Sequence, residues 1–122
     1  MHNFKELTVW QEAIKLTKNI YSITSSYPKE EKYGIISQIR RASVSIPSNI
    51  AEGSGRDSKK EFNQFLNISL GSCFELETQL IISEKLDFIA NDDFLQMNQM
   101  LVNIQKMLNG LKKSLIKTNL NT

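Results

Sequence analysis

Between Phe94 and Leu115 the apolar residues fall at alternating spacings of three and four: Phe94, Met97, Leu101, Ile104, Leu108, Leu111, Leu115. That rhythm sets all seven on one stripe of an α-helix and on no single face of a strand. It recurs three more times, as Val9-Ala13-Leu16-Ile20-Ile23, Ile36-Ile39-Ser43-Ile46-Ile50 and Phe62-Leu66-Ser69-Cys73-Leu76-Leu80. Each stripe must bury itself against another, so the pattern predicts an all-α chain of four amphipathic helices.

Punctuation places the helices at about residues 7–25, 29–52, 58–86 and 93–117. Pro28 is suited to open the second, because a proline in the first turn loses no hydrogen bond. Pro47 lies inside the second and should kink it or break it in two, with nearby serines back-bonding to repair the ladder. Gly53 reads as its stop, and Gly53-Ser54-Gly55 as a helix–helix turn. Ser58 and Glu61 form a capping box for the third helix, and Asn91-Asp92-Asp93 offers cap oxygens to the fourth. Short connectors make neighbours antiparallel. The expected fold is an up-down-up-down four-helix bundle formed by residues 1–122 as a single domain.

The chain lacks the residue patterns of a catalyst. Its one cysteine, Cys73, sits in an apolar stripe, and its one histidine, His2, is near the terminus. A nucleophile with its base, a Glu-x-x-His metal motif and a phosphate-cradling glycine loop are all missing. No apolar run approaches the ~20 residues of a membrane span. We expect a soluble, cytoplasmic protein that is not an enzyme, with no cofactor, metal or evident small-molecule substrate.

Attention therefore falls on surfaces. Trp10, Ile14 and Tyr21 lie about 100° round the first helix from its main stripe, and Leu70, Phe74 and Ile81 are similarly offset on the third. These second stripes predict either self-association or a wide core. Charge is bipolar. One end of the bundle gathers seven cations (Lys5, Arg56, Lys59, Lys60, Lys112, Lys113, Lys117) against Glu6, Glu52, Asp57 and Glu61. The other end gathers Lys29, Lys32 and Lys85 against six carboxylates. Helix dipoles account for lysines near a helix C-terminus. They do not account for Lys59 and Lys60 in a first turn, which makes that pole a candidate site for RNA or another anionic partner. Arg40 and Arg41 have two readings: pairing with Glu75 or Glu77 across a helix interface, or a binding role.

Two segments carry a resemblance: Ile46-Pro47-Ser48-Asn49-Ile50-Ala51-Glu52-Gly53, and Gly71 to Leu80 with its Glu75 and Glu77. With Phe4–Gln11 and Lys106–Leu111, they make the chain similar to bacterial four-helix-bundle proteins encoded within 23S ribosomal RNA intervening sequences. The resemblance implies an up-down bundle, a barrel-like homopentamer and no known catalysis. A related group, the accessory proteins of diversity-generating retroelements, associates with reverse transcriptase and nucleic acid and is more basic than this chain. Two functions follow as expectations: a homo-oligomer that binds RNA or a nucleoprotein through its basic pole, or a protein-interaction scaffold without nucleic-acid affinity.

Overall fold

A computed structural model of the chain describes residues 3–120, with side chains to Ile116. Its order is a 3-10 turn at Phe4–Glu6, helix α1 (Thr8–Thr24), a 3-10 turn at Lys29–Glu31, then α2 (Ile35–Ser54), α3 (Lys59–Lys85) and α4 (Asn91–Leu120). Each helix packs on the next in sequence, and α1 on α4 closes the square. The fold is all-α and bundle-like, as the periodicity requires.

The four stripes meet along the axis. Leu16, Ile20, Ile39, Ile46, Leu66, Leu76, Leu101, Ile104 and Leu108 are essentially inaccessible to solvent. Full burial of one such aliphatic side chain stabilises the fold by roughly 1.5–3 kcal/mol. Ser43 and Ser69 sit in the stripes at zero exposure. Their hydroxyls donate to carbonyls, Ser43 to Arg40 at 2.8 Å and Ser69 to Ile46 at 2.9 Å. Buried polar groups held this way avoid the cost of desolvation without a partner.

Helix α2 departs from expectation at both ends and in its middle. Pro28 opens only a 3-10 turn; the α-helix begins at Ile35, after Gly34 turns the chain. At the other end, Gly53 is not a stop. The helix runs on to Ser54 and the link to α3 begins at Gly55. A β-carbon on Gly53 would lie 2.6 Å from Phe65 Cβ and 3.0 Å from Phe62 Cδ1, so this glycine permits close contact between α2 and α3. In the middle, Pro47 leaves the helix unbroken. A proline lacks the N–H that would bond to the residue four back, here the carbonyl of Ser43. That carbonyl instead accepts from Thr17 Oγ1 of α1 at 3.0 Å. The repair comes from a neighbouring helix, not from the local serines. Ser45 and Ser72 share a hydrogen bond of 2.8 Å between α2 and α3, and Asn49 Nδ2 donates back to the Ser45 carbonyl at 2.8 Å.

The α3 start is half of a capping box. Ser58 Oγ accepts from the Glu61 N–H at 3.1 Å, but the Glu61 carboxylate takes the Ser58 hydroxyl at 3.3 Å rather than the Ser58 N–H. The α3 end is a Schellman turn built on Asp87, whose φ of 59° is left-handed. The N–H of Phe88 reaches the Ser83 carbonyl at 2.9 Å and that of Asp87 reaches Glu84 at 3.1 Å. Phe88 then packs on Tyr27, ring centres 5.7 Å apart, and ties the α3–α4 link to the α1–α2 link.

Candidate nucleic-acid interface and exposed apolar faces

The start of α3, the end of α2 and the end of α4 meet at one pole. Arg56, Asp57, Ser58, Lys59, Phe62 and Leu115 line a small hollow there, about 160 Å³ in volume. Leu115 brings the last turns of α4 to this end, and with them Lys112 and Lys113. Lys60 and Lys113 are exposed, and Lys59 and Lys112 half-buried. Among the described residues none of these four lysines has a carboxylate within ion-pair distance. Arg56 differs: it pairs with Glu52 at 2.9 Å and lies over the Phe65 ring at 4.7 Å. These two contacts hold it to its own helix end. The side chain of Lys117, and all of His2, lie outside the described residues.

Arg40 and Arg41 do not meet Glu75 or Glu77. Arg40 turns to α1, where Nε donates to Thr24 Oγ1 at 2.9 Å and Nη2 to the Tyr21 carbonyl at 3.3 Å. Its guanidinium also lies over the Tyr21 ring, 4.6 Å from the centre. Arg41 is exposed. Glu75 is exposed too, while Glu77 Oε1 accepts from Gln105 Nε2 of α4 at 3.4 Å. The two carboxylates diverge, as a separation of two residues on a helix requires.

The second apolar stripes are partly on the surface and partly not. Ile14, Tyr21, Phe74 and Ile81 are exposed, Phe74 most of all at 54%. Leu70 belongs to the core at 7%, because α3 buries a broad arc between α2 and α4. Trp10 is half-buried, with Phe4 edge-on to its ring at 5.3 Å. Periodicity did not single out Ile68 and Ile82, which are also exposed on α3. Nor did it find the apolar groove between α1 and α2 formed by Phe4, Trp10, Ile14, Val44 and Pro47.

Cys73 is buried without exposure. Burial pushes its thiol up to about 12, with the Glu77 charge adding to the shift. It is held as the neutral thiol, a poor nucleophile at neutral pH. Among the described residues no three His, Cys, Asp or Glu side chains gather as a metal site, and no helix is long and apolar enough to cross a membrane.

The model of the family described as "23S rRNA-intervening sequence protein" matches residues 5–110. Among solved structures the chain is similar to a protein of unknown function from the S23 ribosomal protein family of Bacteroides thetaiotaomicron. The TM-score is 0.79 at 24% identity, covering 87% of this chain and 99% of that one. No curated protein matches.

Proposed function

The chain belongs to the family of 23S rRNA-intervening sequence proteins, and from that premise we propose that it is a non-enzymatic homo-oligomer that binds RNA through its basic pole. The observation that carries this reading is the set of lysines that have no carboxylate partner among the described residues: Lys59 and Lys60 in the first turn of α3, and Lys112 and Lys113 in the last turns of α4. A first helical turn disfavours positive charge. Glu61 shares that turn but is engaged by the Ser58 hydroxyl, and neither lysine pairs with it; an anionic ligand would supply the countercharge. Phosphates would be neutralised by lysines and release condensed cations, so binding would rest on backbone charge rather than base sequence.

Self-association is the second element of the proposal. The α3 stripe of Phe74 and Ile81, seven residues apart on one line of the helix, and the α1–α2 groove are different patches. That stripe on one copy seated in the groove of the next is a head-to-tail contact, which closes into a ring if the rotation permits. A ring would array the basic poles around one rim and multiply their field.

The test is retention of a single-stranded RNA across a salt series, with oligomer mass from light scattering on the same sample. Binding should weaken steeply with salt. Replacing Lys59, Lys60, Lys112 and Lys113 together by Glu should abolish it while the helical signal and melting are kept. Unchanged retention in that variant would refute the pole. A monomer mass near 14.0 kDa at micromolar concentration would refute the ring. The rival scaffold reading predicts no RNA retention and a protein partner that survives nuclease treatment.

A further inference from the structure

We infer that the chain has a second nucleic-acid contact, a groove between α1 and α2 near the end opposite the basic pole, which stacks an unpaired nucleobase on Tyr33. This deepens the RNA-binding reading with a separate site that the lysine pole does not include. Tyr21, Lys32, Tyr33, Arg40 and Arg41 line the groove, about 370 Å³ in volume.

Tyr33 is the most exposed large apolar side chain described, at 89%, and among the described residues its ring contact is with Lys32, whose Nζ stands 5.4 Å from the ring centre. A tyrosine left this open contributes nothing to the core, while its face is the kind of surface on which bases of any sequence stack. The cations around it are arranged rather than scattered. Arg40 is locked on Tyr21 by its bonds to Thr24 and the Tyr21 carbonyl, which use two of the five guanidinium N–H groups and leave others for a phosphate. Arg41 follows it on the exposed side of α2. Among the described residues Lys32, Arg40 and Arg41 have no carboxylate within ion-pair distance. An adjoining hollow shares Arg40 and Lys32 and adds Lys29, so four cations in all line the two hollows. This end of the bundle also carries Glu30, Glu31, Glu84, Asp87, Asp92 and Asp93, but no carboxylate lines either hollow, and Glu31 folds its carboxylate back towards Gly34. Charge alone would equally suit an acidic peptide. An open ring in the same groove as Lys32, Arg40 and Arg41 favours a nucleotide.

The ligand is single-stranded, because a base paired in a duplex keeps its faces stacked within the helix. A trinucleotide carrying 2-aminopurine at its centre is the probe; it is too short to reach both ends of the bundle, and its fluorescence falls on stacking. Titrating the full-length protein to millimolar should quench it to saturation. Tyr33→Ala should weaken that binding roughly 5- to 100-fold, and Tyr33→Phe should keep it. The quadruple lysine-to-glutamate variant at the pole should quench like the wild type. Tyr33→Ala is fully exposed to change without touching the core, and its helical signal checks the fold. No quenching by the wild type, or equal quenching by Tyr33→Ala, overturns the groove. So does loss of quenching in the pole variant alone, which leaves the lysine pole as the binding surface. If longer RNA is retained through the lysines while the trinucleotide is never quenched, the groove falls and the pole reading stands.

Discussion

Thr17 Oγ1 of α1 lies 3.0 Å from the carbonyl oxygen of Ser43 in α2, the acceptor that Pro47 leaves without its helical donor. The same hydroxyl is 2.9 Å from the Ala13 carbonyl of its own helix, so one proton is shared between the two. Ser43 is buried, and water has no easy route to replace the bond. Thr17→Val keeps the shape and removes the donor. It should destabilise the fold by about 1–3 kcal/mol, the cost of a buried acceptor left unpaired. In a Pro47→Ala background the residue at 47 again has an N–H for Ser43, and the penalty of Thr17→Val should shrink. A double-mutant cycle by chemical denaturation measures this coupling. Equal penalties in both backgrounds would mean that Thr17 does not compensate for the proline.

Gly53 and Gly110 are both helical glycines, with opposite expectations. At Gly53 an added β-carbon meets Phe65 Cβ at 2.6 Å, an atom fixed to the α3 backbone that cannot rotate away. Gly53→Ala should cost about 1–3 kcal/mol by forcing α2 and α3 apart, against the ~1 kcal/mol gained in helix propensity. At Gly110 nothing lies within 4 Å. Gly110→Ala should therefore stabilise by roughly 0.5–1 kcal/mol. Thermal melts of the two variants should move in opposite directions.

These contacts mark where sequence and fold part company. All four stripes were legible because burial imposes a period that survives substitution of Leu by Ile or Met, and even of Ile by Ser43 and Ser69. The role of Gly53 was not, since a glycine that ends a helix and one that admits a neighbouring helix look alike until the neighbour is placed. Arg40 was misdirected for the same reason: Tyr21 and Thr24 lie sixteen or more positions away and come near only once α1 and α2 pack. Leu70 sat on a helical flank by angle, yet two helices cover that flank. The turn at Asp87 carries no glycine to announce its left-handed backbone. For the candidate interface, the lysine cluster followed from antiparallel topology alone, but the pairing of Arg56 with Glu52 and the openness of Tyr33 required side-chain positions.

Cys73 supplies a pH signature. Its folded pKa is about 12, raised from 9.0 mainly by burial. Deprotonation therefore favours the unfolded chain, where the thiolate is hydrated. The stability this thiol contributes is fully present below pH 9 and is lost as pH rises from there towards the folded value of about 12. Its loss approaches ~1.4 kcal/mol per pH unit, the slope for one proton. Tyrosines and lysines also titrate in that window, so the measured quantity is the difference between wild type and Cys73→Ala. The cavity left by the alanine shifts the variant's curve by a constant, whereas the thiol adds a slope to the wild type only. Urea denaturation from pH 8 to 10.5 should show the two stabilities converging as pH rises. Parallel curves would show that the thiol does not titrate between the folded and unfolded states as its burial requires. A thiol reagent at pH 8 gives the matching kinetic result: labelling should be slow in the native bundle and rapid in urea, because the buried neutral thiol must first be exposed before it can react.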